Sequence, residues 1–390
     1  LVTPDGGLTQ TRVRFLAVAC AFAIATLYYS QPILPLIGAS FGTSDTVTSQ
    51  LVMLGQIGYS LGLFLFVPIG DRIDRRRLIL TLLAINTVGM AACAAAPSFA
   101  FLGVALLLAG LTTVTPQIII PTVAGMAAPD QRGRAVGVLL SGMSAGLLIG
   151  RTLSGFVGEF AGWRAVFGLA IAMNALLMVI VWRTLPATKP SSDLPYPKLL
   201  LSLGRLFADH ATLRAACITG FLAFGAFSAL WATLAALLAR PPYQFGANTV
   251  GLFGLIGVFS IVAAPLIGRL TDRLGTRFMI VAGTVVLLIA FGFVLLAERT
   301  IWALVLGIAL IDIGYRCVLL ANQTRIYPLQ PSAQSRLNTV FMTSVFLGGA
   351  AGSLCGAAAV MWSWSGLAGA GASLAAAALI FHLVASRAAR

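Results

Sequence analysis

Three ionisable side chains lie deep inside apolar runs of the sequence: Asp312, Arg316 and Arg151. Asp312 falls about eleven residues into the run 301–324, and Arg316 follows one helical turn later on the same face. Arg151 sits beyond the middle of the run 133–157. A charge at the centre of a bilayer costs about 2.5–3.5 kcal/mol even on the lowest scales, so such groups persist where they face a cavity or a partner. A carboxylate so placed can load and release a proton as its exposure alternates between two sides, which is what a proton-coupled carrier needs. Two blander roles compete for Asp312: a static pair with Arg316 that ties one helix to its neighbours, or direct contact with a solute. Arg151 could receive an anionic group, compensate a carboxylate across a cavity, or bond helix carbonyls. The sequence does not rank these three.

Everything around these groups is built to cross a membrane. Of 390 residues, 59% are apolar and 9% charged, and the mean hydropathy is +0.98. Soluble domains carry about 25% charged residues, so a soluble enzyme, a disordered chain and a coiled coil are excluded. Backbone groups in lipid must bond within their own segment, and the lack of polar–apolar alternation argues against a barrel. The apolar runs predict an all-α membrane protein with twelve spanning helices at 12–38, 46–69, 77–96, 98–120, 133–157, 163–183, 211–239, 248–269, 277–297, 301–324, 334–360 and 363–386. The first run is too long for the apolar core of a signal peptide and is expected to be a span. Cys20, Cys93, Cys217, Cys317 and Cys355 all lie in apolar runs without paired spacing, and His210 and His382 stand near run ends. No disulfide framework, metal site or cofactor is expected. No phosphate-binding glycine loop with its lysine is present, so a proton gradient is the expected energy source.

The charges orient the chain. The richest basic stretches are Arg72, Arg75, Arg76 and Arg77; Arg183, Lys189, Lys198, Arg205 and Arg214; and Arg269, Arg273 and Arg277. With the N-terminus inside, all of these are cytoplasmic, while the outer loops hold only Arg164, Arg240 and Arg299. Both termini are therefore expected in the cytoplasm, with anionic headgroups as the basic loops' partners and no nucleic acid. A proline-rich inner loop divides an N-terminal six-helix bundle, 1–186, from a C-terminal one, 210–390, through a linker at 187–209. The small residues Gly142, Gly146, Gly150 and Ser154 recur every fourth position on the fifth span. Ser344, Gly348, Gly352 and Gly356 repeat the pattern on the eleventh, each 202 positions later. Such stripes let helices approach closely, either as fixed packing or as a moving surface.

Two segments end the second and eighth spans. One reads Gly268-Arg269-Leu270-Thr271-Asp272-Arg273-Leu274-Gly275-Thr276-Arg277, the other Val67-Pro68-Ile69-Gly70-Asp71-Arg72-Ile73-Asp74-Arg75-Arg76-Arg77. The first matches the Gly-x-x-x-Asp-Arg-x-Gly-x-Arg signature of the major facilitator superfamily, and the second keeps its Asp-Arg core and basic tail. Val67 and Asp74 stand where that family prefers glycines. The whole chain resembles this superfamily, whose fold is two pseudo-symmetric six-helix bundles. The resemblance implies that Asp71, Arg72, Arg75, Asp272, Arg273 and Arg277 clamp the inner side in one state of the cycle. On the fifth span, Gly137, Gly146, Gly150-Arg151 and Ser154-Gly155 resemble the glycine-rich motif of the drug:proton antiporter branch, with Arg151 in place of its proline. An arginine of the fourth span linked to proton transfer in that branch has no counterpart here.

In this superfamily, spans one, four, seven and ten line a central cavity. The resemblance therefore implies that Tyr28, Tyr29, Gln31, Thr113, Gln117, Phe224, Ser228, Trp231 and Asn322 border it. The expected activity is proton-coupled export of a small organic compound across a bacterial inner membrane by alternating access, with a monomer sufficing. The rival within the fold is a carrier of an anionic metabolite, such as a sugar acid or organic acid, drawn to Arg151 and Arg316. An intramembrane serine enzyme at Ser154 lacks a mid-membrane histidine as base, so no enzymatic activity is expected.

Overall fold

A computed structural model describes residues 9–128, 131–188, 195–330 and 333–388. Among these residues all regular structure is helical. Ten helical stretches are long and apolar enough to cross a membrane, and the last, Gln334–Ser386, contains two helices. The first span is broken into two pieces, which brings the number to twelve. In chain order the helices are α1 (Gln10–Ala25) and α2 (Leu34–Phe41), α3 (Asp45–Phe66), α4 (Arg75–Ala94), α5 (Phe99–Thr112) and α6 (Thr115–Met126), α7 (Arg132–Ala161), α8 (Trp163–Thr184), α9 (Tyr196–Asp209), α10 (Ala211–Leu238), α11 (Ala247–Leu252) and α12 (Val258–Leu274), α13 (Thr276–Leu295), α14 (Ile301–Ile326), α15 (Gln334–Ala359) and α16 (Ser363–Ala388).

Three of the expected spans are interrupted. The first leaves helical geometry at 26–33 before Pro35 opens α2, the fourth breaks before Pro116 opens α6, and the eighth passes through a 3-10 turn at Phe253–Gly257. Proline suits a helix start because its missing N–H has no partner to lose there. Broken helices are typical of transporters, where irregular backbone lines a site. One expectation needs correction: the region 187–209 is not all loop. Leu199, Leu203 and Leu206 recur at helical spacing, and burying them makes α9 an amphipathic helix. Residues 189–194, including Lys189, lie outside the described residues, as does Asp130.

The small-residue stripes are fixed packing inside each half. On α7, a Cβ added at Gly142 or Gly146 would strike the Ala17 or Ala21 carbonyl of α1, and one at Gly150 would lie 2.8 Å from the Ala25 Cβ. On α15, Gly348, Gly352 and Gly356 press in the same way on the α10 backbone at Phe221, Gly225 and Ala229. Span five therefore lies against span one, and span eleven against span seven, with no room for even a methyl group.

Among the described residues, the direct polar contacts between the halves lie from the middle towards one end. At the face away from the basic loops, Arg240 after α10 bonds Asp45 of α3 with both Nη2 (2.6 Å) and Nε (3.1 Å). The Glu159 carboxylate of α7 accepts the Ala247 N–H at the start of α11 (2.7 Å). Deeper in, Gln56 donates to Ser228 (3.1 Å), Ser60 donates to the Thr343 carbonyl (3.3 Å), and the rings of Tyr59 and Phe346 sit 4.4 Å apart. At the basic face the halves diverge around a vestibule of about 850 Å³ that reaches Arg75, Arg132, Tyr327 and Asn338.

Two outcomes follow from this packing. Gly352→Ala lowers the stability of the detergent-solubilised protein by about 1–3 kcal/mol through overpacking. Gly137→Ala, at an exposed helical site with nothing within 4 Å of the new methyl, leaves it unchanged or raises it by up to about 1 kcal/mol through helix propensity. Thermal unfolding followed by intrinsic fluorescence compares the two. In a Cys355→Ser background, a membrane-impermeant maleimide modifies Asn338→Cys from the basic face and leaves Thr233→Cys, buried on α10, unmodified.

Candidate functional site

A second, smaller cavity of about 100 Å³ lies between the halves, above the vestibule. Spans one, four and five contribute Tyr28, Gln117 and Leu148; spans seven, eight and ten contribute Phe224, Phe227, Gly257, Asp312, Tyr315 and Arg316. Gln117 and Met342 border both spaces and so mark the passage between them. The lining is mostly aromatic and aliphatic, with a few polar groups, as small-molecule sites are.

Asp312 is buried, with 7% of its surface exposed. Its carboxylate makes no ion pair within 4 Å, since the ion pairs among the described residues are Arg75–Asp71, Arg77–Asp74 and Arg240–Asp45. The static Asp312–Arg316 pair weighed from the sequence is therefore not formed in this conformation. Arg316 lines the same cavity, half-buried and without a hydrogen bond to another protein group. Gly257 leaves the space that the carboxylate fills: a Cβ there would lie 2.8 Å from Asp312 Oδ2 and 2.5 Å from Leu148 Cδ2.

Arg151 is 1% exposed and stands behind the cavity's aromatic wall, towards the closed face. Its Nε donates to Gln31 Oε1 (2.8 Å). The guanidinium lies 3.6 Å over the Trp231 ring, 4.9 Å from the Tyr28 centroid and 5.8 Å from that of Phe227. Nη1 and Nη2 have no hydrogen-bond partner. Tyr28 and Gln31 belong to the break between α1 and α2, whereas Trp231 and Phe227 belong to α10. The cation is thus held by both halves at once.

The other expected residues are dispersed. Tyr28, Gln117 and Phe224 face the cavity. Tyr29 turns into an apolar groove between α1 and α7, and Gln31 is taken up by Arg151. Thr113 faces α4, where Asn86 Nδ2 donates to it (3.1 Å) and Asn174 donates to Asn86 (2.8 Å). Ser228 accepts from Gln56. Asn322 bonds Thr219 and the Val318 carbonyl nearer the basic face, away from the cavity. Among the fifth-span glycines, Gly146 and Gly150 pack on α1, Gly155 meets the Ala247 carbonyl across the halves, and Gly137 is exposed and packs on nothing.

The two signature segments differ in geometry. In the second copy, Gly275 adopts φ +83° between α12 and α13, a left-handed conformation that explains the glycine. Asp272, Arg273 and Arg277 are exposed there. The first copy has Asp74 at that place, and its backbone takes another route. Its carboxylate caps α4 by accepting the Arg76 N–H (3.0 Å) and also accepts from the Thr188 N–H (3.0 Å). Arg75 pairs with Asp71 (3.0 Å) and donates to the Gly70 carbonyl, while Arg72 is exposed.

Sequence reading passed over Phe227, which has no polar group, Tyr315, whose hydroxyl stands beside Arg316 in the sequence, and the run Gly251-x-x-Gly254-x-x-Gly257. That run carried a signal. Residues three apart eclipse in a 3-10 turn, and these glycines form the strip on which α7 rests. Gly251 meets the Arg151 carbonyl, Gly254 the Arg151 side chain and Gly257 Leu148 with Asp312.

The chain's likenesses agree with this architecture. A family model described as the Major Facilitator Superfamily matches residues 15–296 and 216–390. The uncharacterized transporter YgaY of Escherichia coli O157:H7 is 36% identical over 378 residues, 96% of this chain and 95% of that protein. A probable transporter of Streptomyces coelicolor, SCO4007, is 32% identical over 366 residues, 93% and 85% of the two chains. The crystal structure of a bacterial homolog to the human lysosomal transporter Spinster, solved inward-facing and unoccupied, superposes with a TM-score of 0.69 at 16% identity, covering 97% of this chain and 98% of that one. The chain belongs to the Major Facilitator Superfamily and is a multi-pass membrane transporter.

Proposed function

We propose that the protein is a secondary carrier that exports a small organic compound from a bacterial cytoplasm in exchange for protons. Asp312 is the carboxylate that carries the proton. The observation that carries this reading is a buried aspartate on the wall of the cavity between the halves, with no ion pair to fix its charge. Placing the basic face in the cytoplasm, as the positive-inside rule directs, makes the conformation inward-open. Solute then enters through the vestibule past Gln117, and Asp312 exchanges its proton with the same side. Closure at the basic face would bring the two signature segments together as a clamp, with Asp71, Arg72, Arg75, Asp272, Arg273 and Arg277 as its charges.

A second reading concerns the solute's charge. Arg316 stands in the cavity without a hydrogen bond or ion pair to another described residue, and Arg75 and Arg132 border the vestibule with no carboxylate among its described lining residues. Such a path favours an anionic metabolite.

Everted membrane vesicles with an imposed inside-acid gradient test both readings. Addition of a panel of cationic, neutral and anionic compounds collapses the gradient for particular members, and Asp312→Asn abolishes that collapse. Collapse that survives Asp312→Asn removes the proton role of this residue. Under the second reading the active compounds are anions, and Arg316→Gln raises the concentration needed for half-maximal collapse by about tenfold or more, the scale of one charged hydrogen bond. An active set made up of cations, untouched by Arg316→Gln, overturns the second reading alone.

A further inference from the structure

An exchanger has a requirement beyond two alternating conformations: the carrier with neither proton nor solute must not cross between them, or the gradient leaks away. Some contact must therefore hold the halves together while the proton-carrying carboxylate is ionised and empty. The structure has one contact with that logic, and it lies at Arg151.

Arg151 makes several of the contacts that close the end away from the basic face. Its ring stack on Trp231 joins α7 to α10 at 3.6 Å. Its carbonyl and side chain abut Gly251 and Gly254 of the eighth span, at 2.8 Å and 3.0 Å from the positions a Cβ would take. One 3-10 turn further along the same strip, Gly257 abuts Asp312. A 3-10 turn rises about 6 Å over three residues, so Arg151 and Asp312 flank one short segment from opposite halves. The charges that act on Asp312 are Arg151 of α7 and Arg316 of α14, and the tyrosines that share its cavity are Tyr315 of α14 and Tyr28 of the α1–α2 break. Of these, Arg151 is the cation contributed by the N-terminal half.

Arg151 is also incompletely satisfied. A buried guanidinium has five N–H donors; here Nε is bonded and neither Nη has a partner. A buried cation is tolerated when an opposite charge is near and becomes unfavourable once that charge is removed. The ionised Asp312 supplies the opposite charge across the interface. Protonation, or a solute group that occupies the carboxylate, removes it.

We propose that Arg151 is the positioning residue that couples Asp312 to the closed end of the transporter. While Asp312 is ionised and empty, the guanidinium stays over Trp231 and the halves remain locked. When Asp312 is neutralised or occupied, the lock opens. This rests on the proton role of Asp312 proposed above.

The test needs no solute. Spin labels at Ala161→Cys and Glu298→Cys, in a Cys355→Ser background, report the separation of the halves at the closed end by double electron–electron resonance on the purified full chain in nanodiscs. Wild type shows the short distance at high pH, and a longer one gains population as the pH falls. Arg151→Gln lowers the ratio of short to long distance at high pH by about tenfold or more, the scale of a desolvated cation–π contact, and its distribution no longer responds to pH. Trp231→Leu opens the same end, and Arg151→Lys retains part of the short population with its pH response. A thermal midpoint for each variant shows that it is folded. If Arg151→Gln keeps the wild-type distribution and pH response while Asp312→Asn loses the response, the coupling role of Arg151 is overturned and that of Asp312 stands. If Asp312→Asn keeps the response, the proton is carried elsewhere, and both the reading of Asp312 and this lock are wrong.

Discussion

Two helices in lipid gain nothing by burying apolar surface against each other, because the hydrocarbon they leave is as apolar as the neighbour they meet. What remains is short-range contact, and it requires small residues where the backbones cross. The rest of this structure depends on that constraint. Gly142, Gly146 and Gly150 on α7 and Gly348, Gly352 and Gly356 on α15 put spans five and eleven directly on the backbones of spans one and seven. The contacts are too close to slide without collision, so each half is stiff along these seams. Relative movement is left to the surfaces between the halves.

Those surfaces are held differently. The Asp45–Arg240 pair joins the halves at a site where the two side chains are still 30% and 44% exposed. A pair so placed contributes about 0–1 kcal/mol. The Glu159 cap on α11 and the Gln56–Ser228 bond add a similar scale each. These modest polar contacts can break and reform, and they stand beside a glycine strip of the eighth span, Gly251, Gly254 and Gly257, against which α7 rests. The division of labour is therefore chemical as well as geometric: small residues alone make the seams within a half, whereas between the halves a glycine strip is joined by hydrogen bonds, an ion pair and the Arg151 stack.

This division explains which parts could be read from the sequence. The twelve spans rest on hydropathy over some twenty residues each, a signal that no single side chain can spoil, and all of them fall on helices. The stripes were visible as a period of four, but their partners were not, since a small residue records only that something comes near. Asp312 and Arg316 announced themselves by their cost in a membrane. Thr113 and Asn322 carried no such cost, and their amide and hydroxyl groups went to neighbouring helices instead of the cavity. Short polar side chains on a helix satisfy themselves locally with ease, so their presence on a cavity-lining span says little about direction. Helix α9 was hidden by the prolines and charges before it, although Leu199, Leu203 and Leu206 kept helical spacing.

The arginine at position 151 also stands where two interrupted spans meet the fifth. In the antiporter-like motif a proline at this place kinks the fifth span, because it removes one backbone bond and crowds the preceding turn. Here the α7 helix runs through Arg132–Ala161 with Arg151 making its full backbone contribution. Two of the three interrupted spans touch Arg151: the first at residues 26–33, which carry Tyr28 and Gln31, and the eighth at the 3-10 turn Phe253–Gly257. A continuous fifth helix carries the guanidinium, and the non-α-helical backbone lies in its partners. A proline at this position would place a bend in the fifth span itself, whereas Arg151 leaves that helix continuous and puts its side chain against the interrupted segments of two neighbours.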